Sequence, residues 1–129
     1  AISPTGGRVL AFCSGMGKAI LATWSDSQIE RFAERAGFHP MTPRSHRNLE
    51  TLMTEIRHIR EVGYAVDDEE HAAGLRCVAA VVLSRAEDAV CAISVSALSS
   101  RLSPDRISEV GVRIRNMAQS LTESLRGSS

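Results

Sequence analysis

Cys77–Leu83 is a continuous apolar run, Cys-Val-Ala-Ala-Val-Val-Leu, rich in β-branched side chains and shorter than a buried helix needs. It predicts a strand in the interior. Ser84–Asp88 supplies turn residues, and Ala89–Ala97 returns as a second strand. The two form a β-hairpin, although the connection lacks a tight Asn-Gly or Asp-Gly pair. Any fold for this chain must therefore contain antiparallel sheet.

Helical patterns flank the hairpin on both sides. A helix begins near Gly15, where Ser14-Gly15 precedes Lys18-Ala19-Ile20-Leu21-Ala22. Ser25 and Gln28 have the spacing of a capping box, in which each satisfies an amide the other leaves orphaned. Ile29, Phe32, Ala33 and Ala36 follow at helical spacing, with Gly37 as the stop. Phe38–Pro43 is a loop. Leu49, Leu52, Met53, Ile56, Ile59 and Val62 make a second stripe that ends at Gly63. Tyr64-Ala65-Val66 is a brief strand entering the acidic run Asp67–Glu70, which suits the opening of a short helix. Ser103 caps a last helix with Pro104 at its first position, and Ile107, Val110, Ile114, Met117, Leu121 and Leu125 fall on one face. Val9–Cys13 fits either a strand or a buried loop, Ala1–Gly7 a turn, and Arg126–Ser129 a solvated tail. The order is α+β: an antiparallel sheet with helices packed on it.

Composition narrows the function classes. The 129 residues carry 15 Lys+Arg and 15 Asp+Glu, so formal net charge is zero, and such a balance does not suit a module held by phosphates or anionic lipid. Aromatics are 4%, too few for a platform that stacks single-stranded nucleic acid. No apolar run approaches a membrane span. Three cysteines, Cys13, Cys77 and Cys91, with no C-x-x-C pair, argue against a disulfide framework or a zinc site and point to a reducing, cytoplasmic setting. Lys18 is the only lysine among the basic residues.

Three segments could carry chemistry. Ser94 and Ser96 lie two apart on the second hairpin strand, so their hydroxyls share a face opposite Ile93 and Val95. They either line a small polar cavity or form the solvent side of the sheet. Ser14-Gly15-Met16-Gly17 lets backbone approach a ligand at a helix start, but its spacing is neither a P-loop nor a dinucleotide fingerprint. Asp67-Asp68-Glu69-Glu70-His71 offers carboxylates and a His, yet matches neither an EF-hand nor H-E-x-x-H, so no metal and no cofactor is expected. Cys77 with His71, or Asp67 as a base, is the enzymatic alternative. His39, His46 and His58 have no partners in sequence and are placed on the surface.

Taken together, three blocks are more specific. Gly6-Gly7-Arg8 through Ser14-Gly15-Met16-Gly17-Lys18-Ala19, then Gly63-Tyr64-Ala65-Val66-Asp67-Asp68-Glu69-Glu70-His71-Ala72-Ala73-Gly74-Leu75-Arg76-Cys77, then Ala92-Ile93-Ser94-Val95-Ser96 with Ser100-Arg101-Leu102, resemble in order the effector-binding domain of the IclR-type bacterial transcriptional regulators. The resemblance spans about Gly6 to Leu125. It implies a GAF- or profilin-like curved antiparallel sheet with packed helices, lacking its first elements, and no enzymatic activity. It also implies a pocket for a small carboxylate such as an oxo or hydroxy acid. In that pocket the amides of Gly15 and Met16 would receive the carboxylate, Ser94 and Ser96 would hydrogen-bond its oxygens, and Asp67 and Cys77 would close the site. Val9 and Leu75 would form an apolar wall. Lys18 falls inside the Gly-Lys-Ala segment, where the surrounding amides are expected to matter more than its charge.

Two departures stand out: Met16 replaces a smaller residue, and Ala97-Leu98 replaces a frequent Gly-Pro. The family's N-terminal winged helix-turn-helix has no counterpart in residues 1–129, which then form a partial effector-binding domain. DNA would be reached only through that missing part, with homodimers or tetramers expected of the intact protein.

Overall fold

The computed structural model describes residues 11–86 and 88–127. Among these residues three helices come first: α1 (Gly15–Leu21), α2 (Asp26–Ala36) and α3 (Leu49–Val62). Strand β1 (Ala65–Asp68) and the hairpin β2 (Leu75–Leu83) and β3 (Ala89–Leu98) follow, and α4 (Pro104–Gly127) closes the chain. The sheet is antiparallel in the order β1-β2-β3, so the long apolar run occupies its centre.

Local chemistry sets the helix ends. Ser25 and Gln28 make the reciprocal capping box, the Ser25 amide donating to Gln28 Oε1 at 2.9 Å and the Gln28 amide to Ser25 Oγ at 3.2 Å. Asn48 caps α3 through its side chain, accepting from the Thr51 amide at 3.0 Å. Gly63 ends α3 at φ 84°, a left-handed conformation that costs a side-chain-bearing residue.

Alternation along β2 divides the molecule into layers. Ala79 joins Ala19, Leu21, Ile29, Leu52, Ile56, Ile59 and Ala65 in one core, beneath α1, α2 and α3. Phe12 adds rings to it, stacked on Phe38 at 4.6 Å and edge-on to Phe32 at 5.5 Å. Val78, Ala80 and Val82 point the other way and pack with Leu102, Ile114 and Ala118 beneath α4. The strand is thus buried on both faces, as its unbroken apolar pattern requires.

Three expectations need correction. The acidic run opens no helix: β1 extends through Asp68, and residues 69–74 form a bend and turn back into β2. Hydrogen bonds from the Ser45 hydroxyl and Thr42 Oγ1 to the Glu70 and Glu69 carbonyls hold that path instead. The stripe on the last helix divides, because Gly111, Ile114, Ala118 and Thr122 face the sheet whereas Met117, Leu121 and Leu125 are exposed. A 24-residue helix needs only its narrow inner stripe against a three-stranded sheet. Arg126 and Gly127 belong to α4 and are no tail. Of the segment Val9–Cys13, read as either a strand or a buried loop, the described residues Ala11–Cys13 form a buried turn.

Candidate functional site

Sheet register brings the anticipated residues together. Asp67 pairs with Cys77 and Cys77 with Ser96, so these three side chains lie in one row across the sheet. The next row on the same face is Ala65, Ala79 and Ser94. Gly15, the first residue of α1, sits directly over them: a Cβ there would lie 3.2 Å from Cys77 Sγ and 3.5 Å from Ala79 Cβ. A glycine is therefore what lets the helix start approach the sheet so closely.

The helix start is itself fixed by its cap. Ser14 Oγ accepts from the Gly17 amide at 2.9 Å, and a Cβ at Gly17 would meet Ser14 Oγ and the Ala11 carbonyl at 2.7 Å. The first amides of a helix, here Gly15 and Met16, have no acceptor within it. Met16 is exposed, as are Ser94 and Ser96 on the strand, and Leu75 lies on the same face at 40% exposure. The described residues thus leave a polar strip, Ser94 and Ser96, beside the Cys77 thiol and the α1 start. Val9 and the block before Ala11 lie outside the described residues.

Asp67 is buried, and one of its oxygens is already engaged. Oδ1 accepts from the Glu70 amide at 2.8 Å and the His71 amide at 3.3 Å, so the side chain shapes the acidic turn as well as facing Cys77. Burial pushes its carboxyl above the ordinary value, against the pull of those two amides and of Lys18. His71 is exposed, and no hydrogen bond joins its ring to Cys77, so the nucleophile–base pair is not assembled among the described residues. Burial, then the charges of Asp67 and Glu70, push the Cys13 thiol up to about 11.

Behind the row lies a charged cluster that sequence reasoning missed. Lys18 is fully buried, and its Nζ donates to Glu55 Oε2 at 2.6 Å, to the Val66 carbonyl at 2.6 Å and to both Glu70 oxygens at 2.8 Å. One ammonium thus ties α1 to α3, to β1 and to the acidic turn. The expectation that its charge matters less than the neighbouring amides is wrong for the fold. His46 is likewise no free surface residue: its ring meets Glu55 Oε1 at 2.5 Å and Thr51 Oγ1 at 3.0 Å. His58 is exposed, as is His39, whose ring reaches the Ala36 carbonyl at 2.9 Å.

Burial drives Glu70 above the ordinary carboxylate value, with Lys18 opposing and Glu55 adding to the rise. For Glu55 burial also pushes upward, but the hydrogen bond from His46 and the charge of Lys18 outweigh it and the carboxyl falls. His46, Glu55 and Glu70 place ligand atoms within 4.8 Å of one another, a spacing that could hold a metal ion. The Lys18 ammonium stands among those carboxylates, bonded to both, and supplies the positive charge a metal would bring. The sequence singles out Lys18 as the solitary lysine but carries no signal for the cluster around it.

Arginines complete the frame of the acidic turn. Arg76 Nε bonds Asp68 at 2.8 Å while its Nη1 reaches the Ser99 and Leu102 carbonyls, and Arg44 bonds Asp68 at 2.9 Å from outside. The turn between β1 and β2 is therefore held from α1, from the Thr42–His46 loop and, through Arg76, from the connection between β3 and α4. Glu69 at φ 58° and Gly74 at φ 84° make the reversal.

Residues 1–123 match the family model "Bacterial transcriptional regulator IclR C-terminal". The chain is 37% identical over 120 residues to the transcriptional repressor IclR of Escherichia coli K12, covering 93% of this chain and 44% of that protein. It is 35% identical over 120 residues to the acetate operon repressor of Salmonella typhimurium LT2, again covering 93% and 44%. Among solved structures, the Agobacterium tumefaciens repressor BlcR superposes with a TM-score of 0.83 at 27% identity, over 89% of this chain and 47% of that one. The chain spans less than half the length of the curated relatives it matches. In fold, block order and sequence it belongs to the C-terminal domain family of the IclR-type bacterial transcriptional regulators.

Proposed function

We propose that this domain senses a small carboxylate, an oxo or hydroxy acid of a few carbons, on the face where α1 meets the sheet. One observation carries the reading. The register places Asp67, Cys77 and Ser96 in a single row, with Ser94 two residues along, beside a helix start that Gly15 lets pack close to the sheet. The ligand's carboxylate would take the Gly15 and Met16 amides, and its remaining oxygen the Ser94 and Ser96 hydroxyls. Leu75 would cover its carbon side. The rigid turn after Asp67, tied to Lys18, keeps one wall of the site in register with the helix.

In the intact regulator, DNA contact would come from a domain outside these 129 residues, and the ligand would act by favouring one arrangement of associated cytoplasmic subunits over another. The relatives are repressors, and an effector with differential affinity for two arrangements is sufficient to change DNA affinity without catalysis. Calorimetric titration with glyoxylate, pyruvate and lactate tests the reading. A saturable heat with at least one acid, weakened tenfold or more in Ser94→Ala/Ser96→Ala, supports it. No heat with any of them, or heat unchanged in that variant, sinks it.

A further inference from the structure

Across the sheet from that face, α4 carries a guanidinium with no counter-charge among the described residues. β1 pairs with β2 only from Arg76 to Ala79, so the end of β2 runs on past its neighbour. A cleft of about 340 Å³ opens there, lined by Gly63, Ala80, Leu83, Arg115, Gln119 and Arg126 among others. Arg115, Gln119 and Arg126 stand at i, i+4 and i+11 on one side of α4, and Glu123 is the only acidic side chain in the lining.

Arg115 differs from the other well-anchored arginines. Arg60 pairs with Asp26 at 2.8 Å and Arg76 with Asp68 at 2.8 Å. Among the described residues Arg115 has no carboxylate within 4.0 Å. Its terminal nitrogens reach only neutral oxygens, the Val62 carbonyl at 3.3 Å and Asn116 Oδ1 at 3.4 Å, and its Nε is buried with no hydrogen-bond partner. A buried N–H on a cation is a group the fold ordinarily satisfies. Its stem is held in place by Gly63, where a Cβ would lie 2.7 Å from Arg115 Cδ.

We propose that this cleft is a second binding site, for a small carboxylate with a short hydrocarbon body. The carboxylate would take the Arg115 fork, with Gln119 beside it, and the hydrocarbon would lie against Ala80 and Leu83. A bare phosphate satisfies the charge but not the apolar wall, so it should bind more weakly. The site shares no residue with the proposed effector face and stands or falls independently of it.

The test is an amide and arginine Nε–H NMR titration of the 129-residue chain with butyrate, and with inorganic phosphate for comparison, at constant ionic strength. The expected result is a saturable shift of the Arg115 Nε–H, Gly63 and Gln119 signals by butyrate, with phosphate at least threefold weaker. Affinity should fall tenfold or more in Arg115→Gln and stay unchanged in Ser94→Ala/Ser96→Ala. Gln119→Glu, which places a carboxylate beside Arg115 from an exposed helix position, should also abolish the response and guards against misfolding of the first variant. Shifts that fail to saturate, that chloride reproduces, or that persist in Gln119→Glu overturn the proposal.

Discussion

Replacing Lys18 by Met removes the ammonium from a buried cluster while keeping the unbranched stem as far as Cε. Nζ lies 2.6 Å from Glu55 and 2.8 Å from both oxygens of Glu70, with the Lys18 side chain fully buried and that of Glu70 only 9% exposed. Breaking a buried pair from one side leaves an uncompensated charge and costs about 3–5 kcal/mol. That is a large share of the roughly 5–15 kcal/mol that holds a domain folded. With a urea slope of about 2 kcal/mol per M, the midpoint should drop by about 1.5–2.5 M at pH 7. The loss should shrink on acidification. Burial already raises Glu70 and Asp67, and Lys18 opposes the rise in both, so its removal lifts them further. A raised carboxyl penalises the ionised form in the fold: the penalty is full above the folded pKa and is relieved as pH falls through it. The gap between Lys18→Met and the parent should therefore narrow as pH falls from 7 toward the ordinary Glu value of 4.5. Adding Glu70→Gln should restore part of the stability. A loss under about 1 kcal/mol, or a gap that ignores pH across this window, refutes the reasoning built on buried-pair energetics.

Glu55 carries the opposite sign. Its lowered carboxyl contributes stability above its ordinary 4.5 that is lost as pH falls through the folded value, so the parent chain should lose urea resistance below 4.5 and Glu55→Gln should flatten that limb. Gly111→Ala should destabilise by about 1–3 kcal/mol, read from thermal or urea unfolding, because the new Cβ would lie 2.4 Å from the Tyr64 ring between α4 and the sheet. Timed alkylation with mass spectrometry should find exposed Cys91 modified first and Cys13 last, since Cys13 is buried and its thiol is raised to about 11. Equal rates for the two would contradict the packing of the turn at Ala11–Cys13.

The fold was legible where one local rule decides. Ser25 with Gln28 and Ser103 before Pro104 each mark a helix start that the structure keeps, and the run Cys77–Leu83 marks the central strand. Asp67, Cys77 and Ser96 were named separately; that they share a row follows from strand register, which sequence spacing does not encode across connections of six and five residues. The acidic run looked like a helix start because carboxylates favour a helix dipole. Tertiary partners won instead: Lys18, Arg76 and Arg44 bond those carboxylates, and Ser45 donates to the Glu70 main-chain carbonyl. The Lys18 cluster was invisible because its members lie 37 and 52 residues apart in sequence. A lone lysine at a predicted helix start carries no sign that its ammonium is buried. Met117, Leu121 and Leu125 repeat the heptad-like spacing of a buried stripe, and only the width of the sheet shows that this stripe extends past it.

The central claim is that a small carboxylate binds between the start of α1 and the row formed by Asp67, Cys77 and Ser96. Backbone amide shifts during a pyruvate or glyoxylate titration of the isotope-labelled chain test it most directly. The account predicts saturable shifts concentrated at Gly15, Met16, Cys77 and residues 94–96, lost in Ser94→Ala/Ser96→Ala while Gly63 and Gln119 keep their response to butyrate. Saturable shifts centred elsewhere, with Gly15, Met16 and Ser96 unmoved, would contradict it.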